Sequence, residues 1–391
     1  MTKRKREQIE WAVVAAVLIL VAVCIWASLR AAKKIESPAR PYGPEKPRVE
    51  PAYHNPIPAL ATTTGVARVT ASSPPVFAYA HATVAADGRF FVGMAGASGN
   101  PFPADEVAVF TDPADLRRVD LVSLPHGGDV VTVAYDDVRD KVYFLLTGNH
   151  DLELYELDPH TLALRTIAST TVLDAGWRPA IVTDGTYVYG ITYAEHSTLF
   201  KVRISDGSLT FSAVGHIPYG HSAAIGIYGS STELYFGGDA SDMFEKADAS
   251  DLAPEKIISL PGLCTETDDA PFVRTGAADG YVYVGCERAP YGYRIRTSDM
   301  TVTRFSLPGA SYGFFVVGDD LYNAAQDGVL DAFPRMDIGK LERYRVLGAA
   351  AIDAYGQVPA LNELLYSTTT ESLYFTAWWG VKGLYEIATS S

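Results

Sequence analysis

Cysteine is scarce in this chain: Cys24, Cys264 and Cys286 are the only three in 391 residues. That excludes a disulfide scaffold and a thiolate metal cluster. Long apolar runs are confined to one place near the N-terminus, so the chain does not read as a polytopic membrane protein. Basic residues are also in short supply, with 32 Lys+Arg against 46 Asp+Glu. Residues 1–34 hold seven of the basic and two of the acidic residues, which leaves 25 against 44 in 35–391, a net of −19. Phosphate binding needs Lys/Arg neutralisation, so nucleic acid is not a partner. The sequence shows no phosphate-cradling glycine loop, serine elbow or cysteine–histidine signature. It has no HxH or HxxxH spacing that would mark a metal site. No motif for a quinone or other cofactor is recognisable, and after residue 35 no stretch has a convincing helical period.

The one long apolar run is Trp11 to Leu29, nineteen residues without a charge. As a helix it spans roughly 28 Å, close to the ~30 Å hydrocarbon core. Trp11 and Trp26 stand near its ends, where indoles favour the interface. The basic run Lys3–Arg6 predicts a cytoplasmic N-terminus by the positive-inside rule. A cleaved signal peptide would need a shorter apolar core and a small-x-small site, which this segment lacks. The expectation is one N-terminal transmembrane helix, with residues 1–34 as tail and anchor. This places the protein in the plasma (cytoplasmic) membrane, single-pass, with the rest of the chain on the extracytoplasmic side.

A proline-rich segment follows over 35–63. Pro38, Pro41, Pro44 and Pro47 recur every third residue, the polyproline II period. At ~3.1 Å per residue it reads as a semi-rigid spacer of roughly 70 Å.

The remainder, 64–391, repeats one unit. Its marker is an aromatic strand, found at Arg89-Phe90-Phe91, Lys141-Val142-Tyr143, Tyr187-Val188-Tyr189, Glu233-Leu234-Tyr235, Tyr281-Val282-Tyr283, Asp320-Leu321-Tyr322 and Ser372-Leu373-Tyr374. The spacings are 52, 46, 46, 48, 39 and 52 residues. Asp87-Gly88, Asp184-Gly185 and Asp279-Gly280 read as hairpins between strands one and two. Asp112-Pro113, Asp158-Pro159, Asp206-Gly207 and Asp299 read as turns between strands three and four. Prolines after Leu124, Ile217, Leu260 and Leu307 read as the ends of outer edge strands. Seven such units of four strands predict an all-β, seven-bladed β-propeller. The last unit lacks its fourth strand, and Gly65–Thr70 has strand character with no partner of its own. That segment is expected to complete the seventh blade.

The second unit, Lys141-Val142-Tyr143-Phe144 through Leu154-Tyr155-Glu156-Leu157-Asp158-Pro159-His160-Thr161-Leu162, resembles the YVTN repeat of lactonase-like and surface-layer propellers. The tetrapeptide that names that family is absent. The resemblance implies a propeller fold, and it carries no catalytic residue over to this chain.

In a propeller the first strand of each blade lines a central channel, and polar residues converging there form the default binding site. The candidates are His81, Asp129, Arg178, His221, Arg274 and Tyr312. Arginine forks at 178 and 274 suit a carboxylate or phosphate, or pair with the channel's own acids. Tyr291, Trp378 and Trp379, read as loop aromatics, are interface candidates. Cys264 falls in the loop entering the fifth unit and Cys286 just after its second strand, and the two are a disulfide candidate. The reading is a membrane-tethered binding module or scaffold for a protein or glycan partner on the loop face. Its alternative is a lactonase-like or lyase-like enzyme using His81, Asp129, Arg178, His221 and Arg274 in the funnel. A third is an envelope-complex subunit whose disc only packs.

Overall fold

The computed structural model describes residues 68–71, 82–85, 87–93, 106–112, 116, 118–125, 129–148, 151–171, 180–192, 195–213, 216–218, 220–228, 231–238, 242–262, 264, 271–275, 280–287, 289–307, 311–317, 320–325, 330–334, 344–347, 361–367, 369–370, 372–377 and 384–388. The expected anchor (11–29) and proline stalk (35–63) lie outside the described residues. Among the described residues no helix is long and apolar enough to cross a membrane.

The described residues form seven antiparallel sheets of four strands each. The first strand of the chain is Arg68–Ala71 (β1). The first sheet then comprises Ala82–Val84 (β2), Phe90–Gly93 (β3), Glu106–Phe110 (β4) and Val119–Ser123 (β5). The second is Asp129–Asp136 (β6), Lys141–Gly148 (β7), Asp151–Leu157 (β8) and Leu164–Thr171 (β9). The third is Ala180–Thr183 (β10), Tyr187–Ile191 (β11), Leu199–Arg203 (β12) and Leu209–Phe211 (β13). The fourth is Gly220–Tyr228 (β14), Ser231–Gly238 (β15), Met243–Asp248 (β16) and Pro254–Ser259 (β17). The fifth is Pro271–Thr275 (β18), Tyr281–Cys286 (β19), Tyr291–Arg296 (β20) and Val302–Ser306 (β21). The sixth is Ser311–Val317 (β22), Asp320–Ala325 (β23), Leu330–Pro334 (β24) and Tyr344–Leu347 (β25). The seventh has Leu361–Ser367 (β26), Ser372–Ala377 (β27) and Leu384–Ala388 (β28), and takes its fourth strand from β1.

Every aromatic marker lies on the second strand of its sheet. The reason is burial on both faces, which favours continuous apolar and aromatic runs over alternation. Phe90–Gly93 is buried at every position. The cores lie between sheets rather than within them. Phe91, Val107 and Val109 of the first sheet pack with Val142, Phe144 and Tyr155 of the second. Tyr143 and Leu154 of the second meet Val188 and Phe200 of the third. Tyr189 and Leu199 meet Leu234 and Phe236, and Tyr235 and Phe244 meet Val273 and Val284. Tyr283 and Phe305 meet Leu321. Tyr374 and Leu384 of the seventh sheet pack with Phe90, Val92 and Phe110 of the first.

The first strands follow the same succession. β2 lies beside β6, β6 beside β10, β10 beside β14, β14 beside β18, β18 beside β22, β22 beside β26, and β26 beside β2. The ladder from β1 to β28 sets Arg68 opposite Ala388, Val69 opposite Ile387, Thr70 opposite Glu386 and Ala71 opposite Tyr385. The early strand therefore supplies what the last unit lacks, and it runs one residue past the predicted end at Thr70; residues 65–67 lie outside the described ones.

The turn between strands three and four is the same in four successive sheets. Leu162 N donates to Asp158 O (2.9 Å) while Asp158 N donates to Ala163 O (3.0 Å). Gly207, Leu252 and Met300 repeat the first bond to Arg203, Asp248 and Arg296. The residue closing each turn is left-handed, with φ of 56° at Leu162, 70° at Gly207, 61° at Leu252 and 60° at Met300. Bulky residues rarely adopt this region. Burial offsets the strain here, since the Leu252 and Met300 side chains enter the inter-sheet cores.

One outer-strand expectation needs correction. β13 ends at Phe211, so Ile217-Pro218 does not close an outer strand. Those residues belong to the connection into β14, where Ile217 N donates to a buried carboxylate instead of a ladder.

Candidate functional site

Antiparallel order sorts the connections onto two ends of each sheet. The turns between strands one and two, and between strands three and four where these are consecutive, face one end of each sheet. The connections from strand two to three, and from strand four to the next sheet's first strand, leave from the other end. The two ends differ chemically.

At the hairpin end the polar groups are spent on the fold. Asp158 accepts from Lys141 Nζ (2.8 Å), Thr161 N (2.8 Å) and His160 N (3.0 Å). The Lys141 bond, followed by the backbone donor of Thr161, holds its carboxyl below the ordinary range. Asp248 accepts from Ser250 N, Asp206 from Ser208 N and Asp299 from Thr301 N. Neighbouring sheets are clasped across the same end. Arg89 donates to the Pro159 carbonyl, Arg139 to the Gly185 carbonyl and Lys201 to the Ala249 carbonyl (3.1 Å). His160 stands between two carboxylates, with Nε2 2.6 Å from Asp140 and Nδ1 3.5 Å from Asp87. Burial pushes Asp140 up, but hydrogen bonds from Tyr135 and His160 outweigh it and the net shift is downward.

Of the residues singled out in the sequence, the structure describes some and not others. His81, Arg178, Trp378 and Trp379 lie outside the described residues. Asp129, His221, Arg274 and Tyr312 are placed within first strands, not in the loops leading to them. The register gives two of them a special place. Gly220 pairs with Gly238 and Ser222 with Gly237, so His221 is the extra residue of a β-bulge. Ser311 pairs with Ala325 and Gly313 with Ala324, so Tyr312 is another. Val131 in β6 and Asn362 in β26 occupy the same position. Asp129 opens β6 opposite Thr147, and Arg274 pairs with Tyr283 deeper along β18.

Tyr291 opens β20 rather than lying in the loop before it. Its hydroxyl donates to the Gly262 carbonyl, and Tyr293 beside it donates to the Pro261 carbonyl (2.7 Å). The Arg304 guanidinium covers the Tyr291 ring at 3.8 Å. The tyrosine thus holds the loop leading into the fifth sheet. A disulfide between Cys264 and Cys286 (Cα–Cα 5.7 Å) ties the same loop to the end of β19.

Sequence reasoning missed a buried pair. His216 Nδ1 meets Glu245 Oε1, with both side chains fully buried. The second carboxylate oxygen accepts from Ile217 N (3.0 Å). Ser197 completes the anchorage, its carbonyl accepting from His216 N (3.1 Å) and its hydroxyl from Gly220 N (2.7 Å). These bonds fix the segment that delivers His221 to the start of β14. Among the described residues no group of three or more His, Cys, Asp or Glu could hold a metal ion.

No family model matches the chain, and no curated protein matches it in sequence. Solved structures do. A chain of a mitotic checkpoint complex superposes with a TM-score of 0.60 at 10% identity, covering 89% of this chain and 99% of that one. Sqt1 of Saccharomyces cerevisiae superposes with 0.53 at 12% identity, covering 78% and 83%. A dihydro-heme d1 dehydrogenase, NirN in complex with DHE, scores 0.47 at 18% identity over 68% of this chain and 57% of its own. The fold is a β-propeller. At these identities the likeness shows the fold alone.

Proposed function

We propose that the seven sheets are the blades of one closed ring, sealed by β1, and that its loop end is a binding surface for a protein partner. The observation that carries this is the exposed polar loop that the sheets hold out at that end between β11 and β12. Hairpin-end acids such as Asp158, Asp206, Asp248 and Asp299 are committed to their own turns. The loop end instead presents connections on a stiff frame, the usual place for recognition. His196 and Glu195 in the loop between β11 and β12 are exposed there. The propeller likeness fits this reading, since one neighbour is part of a protein assembly.

In this reading residues 11–29 anchor the chain in the plasma membrane and 35–63 hold the ring (64–391) away on the extracytoplasmic side. The Cys264–Cys286 bond supports that placement, because disulfides persist in oxidising compartments. The YVTN-like second unit supports placing the ring beside those propellers.

The test is site-specific photo-crosslinking in native membranes, with the full chain carrying a photoreactive residue at Glu195, His196 or Val138. Val138 lies on the β6–β7 hairpin and is 80% exposed. One discrete protein adduct from 195 and 196, and none from 138, is the expected result. The same adduct from 138, or none from either loop position, contradicts the proposal.

A further inference from the structure

Cations are the minority charge in this chain, and its acids, hydroxyls and carbonyls take them up. Lys141 is held by Asp158, Arg165 by Glu156, Lys246 by Glu233 and Glu255, and Arg296 by Asp299. Arg304, on the outer strand β21, is different. Among the described residues it is the exposed arginine whose guanidinium makes neither a hydrogen bond nor an ion pair. It lies instead on an aromatic face, with Cζ 3.8 Å from the centre of the Tyr291 ring. The other described contacts of this kind are looser: 4.7 Å for Arg294 on Tyr281, and 5.3 and 5.6 Å for Lys201 and Arg203 on Tyr187. Arg294 is buried, Lys201 also donates to carbonyls, and Arg203 also reaches Asp206. Asp242, whose charge acts on Tyr293 as that of Arg304 does, accepts from Ser259 Oγ (2.6 Å).

The ring beneath that guanidinium is fixed from several sides. Tyr291 packs against the core shared by the fourth and fifth sheets. Its hydroxyl is bound to the Gly262 carbonyl, and its ring meets that of Tyr293 edge-on, at 6.0 Å and 84°. Gly262 is left-handed (φ 79°), and a Cβ there would stand 2.5 Å from the Tyr291 hydroxyl. Only glycine leaves that hydroxyl its place. The Cys264–Cys286 bond ties down the same loop. The ladder sets Tyr291 opposite Ser306 and Tyr293 opposite Arg304, so the stack stands at the outer corner of the fifth sheet, toward its loop end.

We infer that Arg304, stacked on Tyr291, receives a carboxylate of the protein partner, an Asp or Glu side chain. A guanidinium laid on a ring keeps its N–H edge for a second group, and that edge matches a planar carboxylate with two parallel bonds. The ring holds the arginine in place before binding, which lowers the entropy lost on contact. Tyrosine and arginine are also the side chains that dominate binding energy at protein interfaces. The net charge of −19 over 35–391 repels acidic tracts, so the partner presents one carboxylate at this corner rather than an acidic run. The same repulsion favours a singly charged carboxylate over a phosphate. The inference rests on the loop-end reading above and names the chemistry of one contact in it.

The test uses the full chain in detergent, isotope-labelled at arginine Nε, and nuclear magnetic resonance. The probes are a fluorescent Gly-Ser peptide with one central Glu, its Gln counterpart and its phosphoserine counterpart. The Arg304 signal is assigned by its loss in Arg304→Lys. The Glu peptide should shift that signal saturably and the Gln peptide should leave it in place. Affinities come from anisotropy of the same peptides. Arg304→Ala should weaken the Glu peptide about tenfold or more. Tyr291→Leu should weaken it about two- to fivefold, and should add nothing to Arg304→Ala. Arg165→Ala, at an exposed position on the second sheet, changes the net charge equally and should cost less than about twofold. Far-UV circular dichroism confirms that each variant is folded. Equal weakening by Arg165→Ala and Arg304→Ala reduces the effect to bulk charge and overturns the inference. Equal binding of the Gln peptide, binding of the phosphoserine peptide alone, or no binding at all overturns it as well. Any of these with the partner adducts at 195 and 196 intact overturns the inference alone, and loss of those adducts overturns the loop-end reading itself.

Discussion

The ring of Phe90, in the first sheet, lies 4.4 Å from the ring of Tyr374, in the last, with the planes tilted by 48°. Both side chains are fully buried. The contact joins the two ends of the repeat series, so its energy serves closure rather than any single blade. Tyr374→Ala removes a buried aromatic and its hydroxyl contact with Thr370 (3.0 Å). A loss of about 3–5 kcal/mol is expected for such a truncation. Urea denaturation followed by tryptophan fluorescence should show a clearly lower midpoint, while Leu121→Ala on an outer strand shifts it little.

His216 and Glu245 give a second prediction. Removing one member of a buried hydrogen-bonded pair leaves the other unsatisfied and costs about 1–3 kcal/mol, whereas replacing both by apolar residues of similar shape is often close to neutral. His216→Ala should therefore lower the denaturation midpoint strongly, and His216→Leu with Glu245→Leu should restore most of it. If the double variant is as damaged as the single, the pair's worth lies in its hydrogen bond to Ile217 instead.

The left-handed turn residue separates two neighbouring cases. A Cβ on Gly207 would collide with the Ile167 carbonyl oxygen of the preceding sheet, and its φ of 70° adds strain. Gly207→Ala should destabilise by roughly 1–3 kcal/mol. Met300→Leu occupies an equivalent turn whose core already accommodates a side chain, and should change stability by under about 1.5 kcal/mol. Thermal unfolding of the two variants side by side distinguishes them.

Acid should loosen the hairpin end. Asp158, Asp206 and Asp248 all have carboxyls lowered by hydrogen bonds, from Lys141, Ser208 and Ser250 respectively. A depressed folded value means the stabilisation is present above the unfolded value of about 3.9 and is lost as pH falls through the folded one. The thermal midpoint should therefore decline below about pH 4. Asp158→Asn keeps a cap but cannot ionise, so its midpoint should lie below the parent's at pH 7 and converge with it in acid. A constant gap across that range contradicts the assignment.

The fold was legible because each unit writes its second strand in aromatic residues and several of them write their hairpins in Asp-Gly or Asp-Pro. The missing last strand and the unpaired Gly65–Thr70 segment pointed to the seam. Other features left no local trace. The His216–Glu245 bond spans 29 residues, and Glu245 sits in a strand buried on both faces, where alternation carries no information. His221 and Tyr312 were picked out by polarity near a strand start, yet their position in a bulge depends on a register that only pairing reveals. Leu162 and Leu252 read as ordinary apolar residues because left-handed backbone favours glycine or asparagine. Tyr291 read as a free loop aromatic since nothing in sequence shows its hydroxyl bound to Gly262.

Closure by the early strand is tested most directly by a cysteine pair across the seam. Val69 and Ile387 are opposite one another in the β1–β28 ladder. Directly opposed residues on antiparallel strands have Cβ atoms about 4.5–5.5 Å apart, within reach of a bond after small adjustment. In a Cys24→Ser background, Val69→Cys with Ile387→Cys should form an intramolecular disulfide on mild oxidation, read by mass spectrometry of the joined peptides, and should raise the thermal midpoint. Failure of 69 and 387 to join, or joining only between separate molecules, would contradict a ring sealed by its own N-terminal strand.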